Sequence, residues 1–253
     1  MRMIRPEHLS PSLDVRESRE FASEIKFCVP SELGVEIRGW ARQWLAPDPY
    51  AGGEMGDTYR TASLYFDTAG FEVLRRAGSF GRSKYRIRRY GDSQGVFLER
   101  KLKTRNMVSK RRSVIGMEDL ERLESSPQRG WTGHWFHRRI AARLLQPVCQ
   151  ISYHRTARVG SGSYGAIRLT IDQEVCALPA ARLAFHSGDP GTPLTDGHMI
   201  VELKFRRTVP PQFAQLIENF RLEPQPVSKY RLAAAIDGCV AGWYGSDAVE
   251  SAA

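Results

Sequence analysis

The stretch YRIRRYGDSQGVFLERKLKTR, residues 85–105, decides the fold. Two runs with a period of two flank the turn signal YGDSQG at 90–95, so the segment reads as a β-hairpin. Side chains two apart share one face of a strand. Arg86 and Arg88 therefore stand opposite Tyr85 and Ile87, and Glu99, Lys101 and Lys103 stand opposite Leu98 and Leu102. One face of the hairpin is apolar and the other is almost wholly ionised.

The same rule holds along the chain. Glu24 and Lys26 oppose Ile25 and Phe27; Arg168, Thr170 and Asp172 oppose Ile167, Leu169 and Ile171; Glu202, Lys204 and Arg206 oppose Val201, Leu203 and Phe205. With Lys84 added, the charged faces carry nine cations (Lys26, Lys84, Arg86, Arg88, Lys101, Lys103, Arg168, Lys204 and Arg206) against four carboxylates (Glu24, Glu99, Asp172 and Glu202). A single solvated sheet face would account for one such strand. Five strands with few Ser, Thr or Gln on the polar side call for another arrangement.

Further strands are expected at 61–67, 107–115 and 148–159, with a second hairpin turn at 160–165, GSGSYG. Four amphipathic helices are expected between them. Their apolar stripes are Leu33, Ile37, Trp40, Ala41 and Trp44; Ile140, Ala141, Leu144 and Leu145; Phe213, Leu216, Ile217 and Phe220; and Leu232, Ile236, Cys239 and Val240, the last with Ser228 as N-cap. These helices need an apolar surface, and the strands' apolar faces supply it. With the helices outside, the charged faces turn toward one another. The fold predicted is α+β: an antiparallel β tunnel or barrel with a charged lumen and amphipathic helices packed outside. One domain is expected over 20–242, between a tail at 1–19 and another at 243–253, and the loop at 186–197 is expected to be mobile.

The chain has 253 residues, 42% of them hydrophobic, and a net charge of +9. That balance favours polyanionic partners. Cys28, Cys149, Cys176 and Cys239 form no C-x-x-C pair, which points away from a zinc site and toward a reduced, cytoplasmic protein. No run of about 18 apolar residues is present, so no transmembrane helix is expected. P-loop, G-x-S-x-G and G-x-G-x-x-G motifs are missing. His134 and His137 lack companions at metal-ligand spacing and read as surface or packing residues, and Trp131 and Trp135 read as core. A lumen so rich in cations needs a compact polyanion, with a divalent cation held by some of the carboxylates.

The ordered set EIK, YRIRRY, LERK, VSKRR, SYHRTA, IRLTID, VELKF and SKY, spread over residues 21 to 240, resembles the VTC domain. This is the polyphosphate polymerase module of the triphosphate tunnel metalloenzyme (CYTH-like) superfamily. The resemblance implies an eight-stranded antiparallel tunnel. It implies phosphate-binding roles for Lys26, Arg86, Arg88, Lys101, Lys110, Arg155, Arg168 and Lys229, and a metal-binding role for Glu202, with Mn2+ or Mg2+. It also implies transfer of the γ-phosphoryl group of ATP to a growing polyphosphate chain.

The face analysis adds Lys204 to the substrate-binding set. Ser228 joins it as the expected cap beside Lys229, where helix N–H groups and the lysine would hold one phosphate. Arg86, Arg88 and Lys229 are the candidates for the catalytic role. The first strand has Ala22 where CYTH hydrolases carry the first Glu of E-x-E-x-K, a departure that favours the VTC-like branch. A metal-dependent tripolyphosphatase or nucleoside triphosphatase of the same fold stays open, as does a non-enzymatic module that binds polyphosphate or RNA. Specific nucleic-acid binding is not expected, since the cations line strands instead of an outer surface. The resemblance leaves room for a separate membrane partner. For Glu24, Glu99 and Asp172, metal ligation and structural ion pairing both remain open.

Overall fold

The computed structural model describes residues 14–15, 23–49, 56–80, 83–104 and 107–243. Apart from Asp14–Val15 and Trp243, the two expected tails lie outside the described residues, as does the side chain of Lys103. Eight long strands form the frame: β1 (Ser23–Pro30), β2 (Thr58–Asp67), β3 (Ser83–Tyr90), β4 (Gly95–Thr104), β5 (Met107–Gly116), β6 (Gln146–Gly162), β7 (Gly165–Pro179) and β8 (His198–Phe205). All pair antiparallel, in the order β5-β4-β3-β2-β6-β7-β8-β1. The sheet curls into a barrel that its backbone does not close. Across the seam, Lys101 of β4 reaches Glu24 of β1 at 2.7 Å, so side chains join the two sides.

Among the described residues, five α-helices accompany the strands: α1 (Ser31–Trp44), α2 (Glu72–Arg75), α3 (His134–Ala142), α4 (Pro211–Asn219) and α5 (Lys229–Ala234). The outward strand faces are apolar because every second residue is, and the helices cover them. Ile37 and Ala41 of α1 and Phe213 and Leu216 of α4 pack with Phe27, Leu169, Ile171, Val201 and Leu203. Phe136 and Ile140 of α3 pack with Leu64, Phe66, Tyr85, Ile87 and Leu98. Burial of these faces is the main driving force for the fold.

Several local expectations differ. Trp44 is 60% exposed and stacks on Trp40 at 6.2 Å instead of entering the core. The helix expected to run through Leu145 ends at Ala142, because Leu144 takes a positive φ of 51° and is 83% exposed. Arg206 lies beyond the end of β8, exposed, with its side chain against Gly165. Within the loop at 186–197, Thr192–Pro193 pairs with Ala177 and Cys176. There Gly191 has φ +83°, and a Cβ would fall 2.3 Å from the Ala177 carbonyl oxygen, so only glycine fits. Other expectations hold: His137 is a buried packing residue with Nε2 2.8 Å from the Ser125 carbonyl, and Trp135 is in the core, its indole donating to Ser113 at 2.7 Å.

Candidate functional site

Strand registry places the charged residues on one common inner face. Lys26 sits beside Glu202, Glu24 beside Lys204, and Lys204 beside Arg168. Asp172 is paired with Arg155, Arg86 with Glu99, Lys84 with Lys101, Glu99 with Arg112 and Lys101 with Lys110. Lys229 reaches the same interior from α5. Eleven cations (Lys26, Lys84, Arg86, Arg88, Lys101, Lys110, Arg112, Arg155, Arg168, Lys204 and Lys229) thus share the lumen with Glu24, Glu99, Asp172 and Glu202. Every sequence-predicted site residue belongs to this face or, for Ser228, abuts it.

Two buried carboxylates organise the cations. Glu99 meets Arg86 at 2.6 Å, Arg112 at 2.8 Å and Lys110 at 3.1 Å. Burial opposes its ionisation, but Arg86, Lys110 and Arg112 outweigh burial and hold the carboxyl well below its ordinary range. Asp172, wholly buried, takes a two-pronged contact from Arg155 at 2.5 and 2.7 Å and another from Lys229 at 2.5 Å. Its pKa is likewise lowered, with Arg155 and Lys229 overcoming desolvation. Both acids are structural counter-ions that aim their cations inward. Arg168 is held by Asp48 at 2.6 Å.

Arg88 is different. It is 4% exposed, donates from Nε to Ser63 Oγ at 3.0 Å, and makes no salt bridge among the described residues. The rings of Tyr90 and Tyr153 flank it at 5.8 and 6.0 Å. Tyr153 also underlies Arg155 at 5.1 Å and Lys229 at 4.7 Å, forming an aromatic floor beneath three cations. A buried guanidinium with a single hydroxyl partner is costly until an anion joins it.

At one end of the lumen the chain crosses between strands. Gln225 N–H donates to the Lys26 carbonyl, Lys26 Nζ to the Val227 carbonyl at 3.3 Å, and Lys84 Nζ to Ser228 Oγ at 2.9 Å. The expected capping bond from the Ser228 side chain is not formed. Helix α5 has six residues, and Lys229 is drawn to Asp172. Tyr230 donates to the buried Asp67 at 2.7 Å and stacks on Tyr65, which anchors α5 and so positions Lys229.

Among the described residues, no group of three or more His, Cys, Asp and Glu side chains is arranged to hold a metal ion. Two carboxyls lie on adjoining strands of the inner face: Glu24 is opposite Lys204, and Glu202 is opposite Lys26. Burial works against the Glu202 charge, while Lys204, at 3.0 Å, and Lys26 and Arg155 keep it ionised. One or two carboxylates completed by substrate phosphates is a donor set suited to a hard, Mg2+-like cation.

The family model for the VTC domain matches residues 21–236. This chain belongs to the VTC-domain family. The VTC domain also shares its fold with a Bacillus halodurans protein provisionally named an adenylate cyclase, at 15% identity and a TM-score of 0.50, covering 81% of this chain and 92% of that one. A Hippeastrum protein provisionally named an adenylyl cyclase, and described as having a dominant triphosphatase activity, matches at 16% identity and a TM-score of 0.44, over 82% and 92%. No curated protein matches the sequence. The VTC domain is thus a triphosphate tunnel fold, and no helix among its described residues is long and apolar enough to cross a membrane.

Sequence reasoning passed over part of the lumen. Arg112 lies on a strand whose faces were not separated, and Tyr59, Tyr65, Tyr90 and Tyr153 were given no role. The signal was available, since KRR at 110–112 puts Lys110 and Arg112 on one side and Arg111 on the other. Arg111 indeed turns outward, its guanidinium 4.4 Å from the Trp135 ring.

Proposed function

We propose that this VTC domain is an ATP-dependent polyphosphate polymerase. In this reading Lys26, Arg86, Arg88, Lys101, Lys110, Arg155, Arg168, Lys204, Ser228 and Lys229 hold the nucleotide's phosphates and the polyphosphate chain in line. Phosphoryl transfer asks the protein for positioning and charge neutralisation, not for a covalent nucleophile. The observation that carries the reading is Arg88, buried and without a carboxylate partner in a lumen whose other guanidiniums are clamped by Glu99, Asp172 and Asp48. Its remaining donors suit phosphate oxygens.

Arg86 and Arg88 would neutralise charge building on the transferred group, and Lys229, released in part from Asp172, would follow the phosphate it contacts. Glu202, with Glu24 on the adjoining strand, would hold Mn2+ or Mg2+. When bound there, such an ion would supply positive charge that offsets the negative charge repelling an incoming acceptor. The chain's enzymatic role, its cytoplasmic setting and a separate membrane partner belong to the same proposal.

The test is purified protein incubated with ATP and Mn2+, its products resolved on a gel stained for polyphosphate. A ladder of chains, lost in Arg86→Ala and Lys229→Ala, is the expected result. Free phosphate without a ladder, lost in the same variants, would replace synthesis with hydrolysis. Tight tripolyphosphate binding without turnover would leave a binding module.

A further inference from the structure

The lumen holds two kinds of cation. Around Glu99, Asp172 and Asp48 they are mostly guanidiniums, clamped by those carboxylates. Toward the crossing segment at 225–228 they are ammoniums. Lys26 and Lys101 lie against one carboxylate oxygen, Glu24 Oε1, at 3.6 and 2.7 Å. Lys26 Nζ and Lys84 Nζ rest on consecutive residues of the crossing segment, the Val227 carbonyl at 3.3 Å and the Ser228 hydroxyl at 2.9 Å. Registry sets Lys84 directly opposite Lys101. Three ammoniums thus gather around a single carboxylate.

Lys84 stands apart within this group. It is not among the residues proposed above to hold phosphates, and it makes no ion pair among the described residues. Its side chain is exposed, and those of Lys26 and Lys101 are partly so, which leaves the group open to a ligand. Desolvation within the lumen, and then Lys26, Lys101, Arg86 and Arg231, act against the Lys84 charge. A hydroxyl partner leaves that repulsion standing, whereas an anion removes it.

We propose that Lys84, with Lys26 and Lys101, forms a subsite for a terminal phosphate group, the end of a linear polyphosphate or the γ-phosphate of a nucleoside triphosphate. The inference rests on the phosphate lumen of the proposed function, not on turnover. Charge matching favours the end of a chain over its middle. Three ammoniums less one carboxylate leave a net +2. A terminal phosphate brings about −1.5 to −2 and three acceptor oxygens, one for each ammonium. An internal phosphate is a monoanion with fewer free oxygens. Lysine stems are flexible, so Nζ of Lys26 and Lys84 can leave Val227 and Ser228 for a phosphate while the strands stay in place. Alternation puts Lys84 and Arg86 on the same face of β3, about 7 Å apart along the strand. A chain that ends at Lys84 therefore continues toward Arg86 and Arg88.

The experiment is calorimetric titration of the full chain, without divalent cations, by tripolyphosphate and by cyclic trimetaphosphate, which has no chain end. In Lys84→Met, tripolyphosphate affinity should fall about tenfold or more while trimetaphosphate affinity is unchanged, and Lys84→Arg should restore most of the loss. ATP titrated alongside identifies the source of the phosphate. A matching loss for ATP brings its γ-phosphate to the subsite, and a loss for tripolyphosphate alone reserves it for chain ends. The subsite is overturned if Lys84→Met binds tripolyphosphate as the unmodified chain does while Arg88→Met binds it more weakly, or if Lys84→Met weakens both polyanions equally. Binding of neither polyanion by the unmodified chain would overturn the phosphate lumen itself, and the subsite with it.

Discussion

Replacing Arg88 with methionine separates the cost of the lumen from its use. The side chain is 4% exposed, is held by Ser63 Oγ alone, and stands near Arg86 without a carboxylate of its own. Burial and Arg86 oppose its charge, while Tyr153, Tyr90 and Glu99 favour it and raise its pKa. Burial raises the Tyr90 phenol, but Arg88 and Arg112 outweigh it and pull it down to about 7, so near pH 7 Tyr90 gives part of that support. An unpaired buried charge costs several kcal/mol after relaxation. Against this, methionine orphans the Ser63 hydroxyl, about 1–3 kcal/mol, and loses two ring contacts of roughly 0.5–2 kcal/mol each.

The balance for Arg88→Met is close to neutral or about 1 kcal/mol stabilising, equivalent to a rise in Tm of about 2–4 °C for a domain of this size. Binding moves the other way. Loss of one charge-assisted hydrogen bond to phosphate, about 1.5–3 kcal/mol, weakens affinity roughly ten- to hundredfold. Differential scanning fluorimetry and calorimetric titration with tripolyphosphate measure the two effects separately. A fall in Tm of about 6 °C or more would show that Arg88 supports the fold. Unchanged tripolyphosphate affinity would refute its place as the lumen's anion acceptor.

Other perturbations have defined outcomes. Glu99→Gln breaks the contacts to Arg86, Lys110 and Arg112 and should cost about 3–5 kcal/mol, a large drop in Tm by fluorimetry that tripolyphosphate partly restores. Glu99, Glu202 and Asp172 all have depressed carboxyls. The stability they contribute is therefore present above their unfolded values, near pH 4, and is lost as pH falls through the lower folded values; urea melts across the acid range should show a shallower loss in Glu99→Gln. Lys84 is pushed down to about 7 by desolvation in the lumen and by Lys26, Lys101 and Arg86, although water reaching its side chain moderates the effect. Binding of a polyanion near pH 8 should thus take up a proton, seen as buffer-dependent calorimetric heats that vanish in Lys84→Met. Gly191→Ala forces a Cβ against the Ala177 carbonyl at positive φ and should lower stability by about 2 kcal/mol or more, measured by urea unfolding.

The frame was legible in the sequence because period-two charge alternation survives in β1, β3, β4, β7 and β8, and each strand then declares its inner face. What escaped depended on tertiary geometry. Trp44 fits an apolar stripe by spacing, yet it stacks on Trp40 toward solvent. Arg206 continues the parity of β8, but the strand stops one residue earlier. The number of inward residues did not reveal which acids would serve as clamps. Glu99 and Asp172 became clamps because registry sets them beside Arg112 and Arg155. Lys229 was found by its motif, and the reason it reaches the lumen, the Tyr230–Asp67 hydrogen bond, lies between residues 163 positions apart.

A crystal structure with tripolyphosphate tests the central claim most directly. A phosphate chain is expected inside the barrel, with oxygens on Arg88 and contacts to Arg86, Lys110, Arg155 and Lys229. Tripolyphosphate held only on the outer surface, with the lumen ion pairs unchanged, would contradict it.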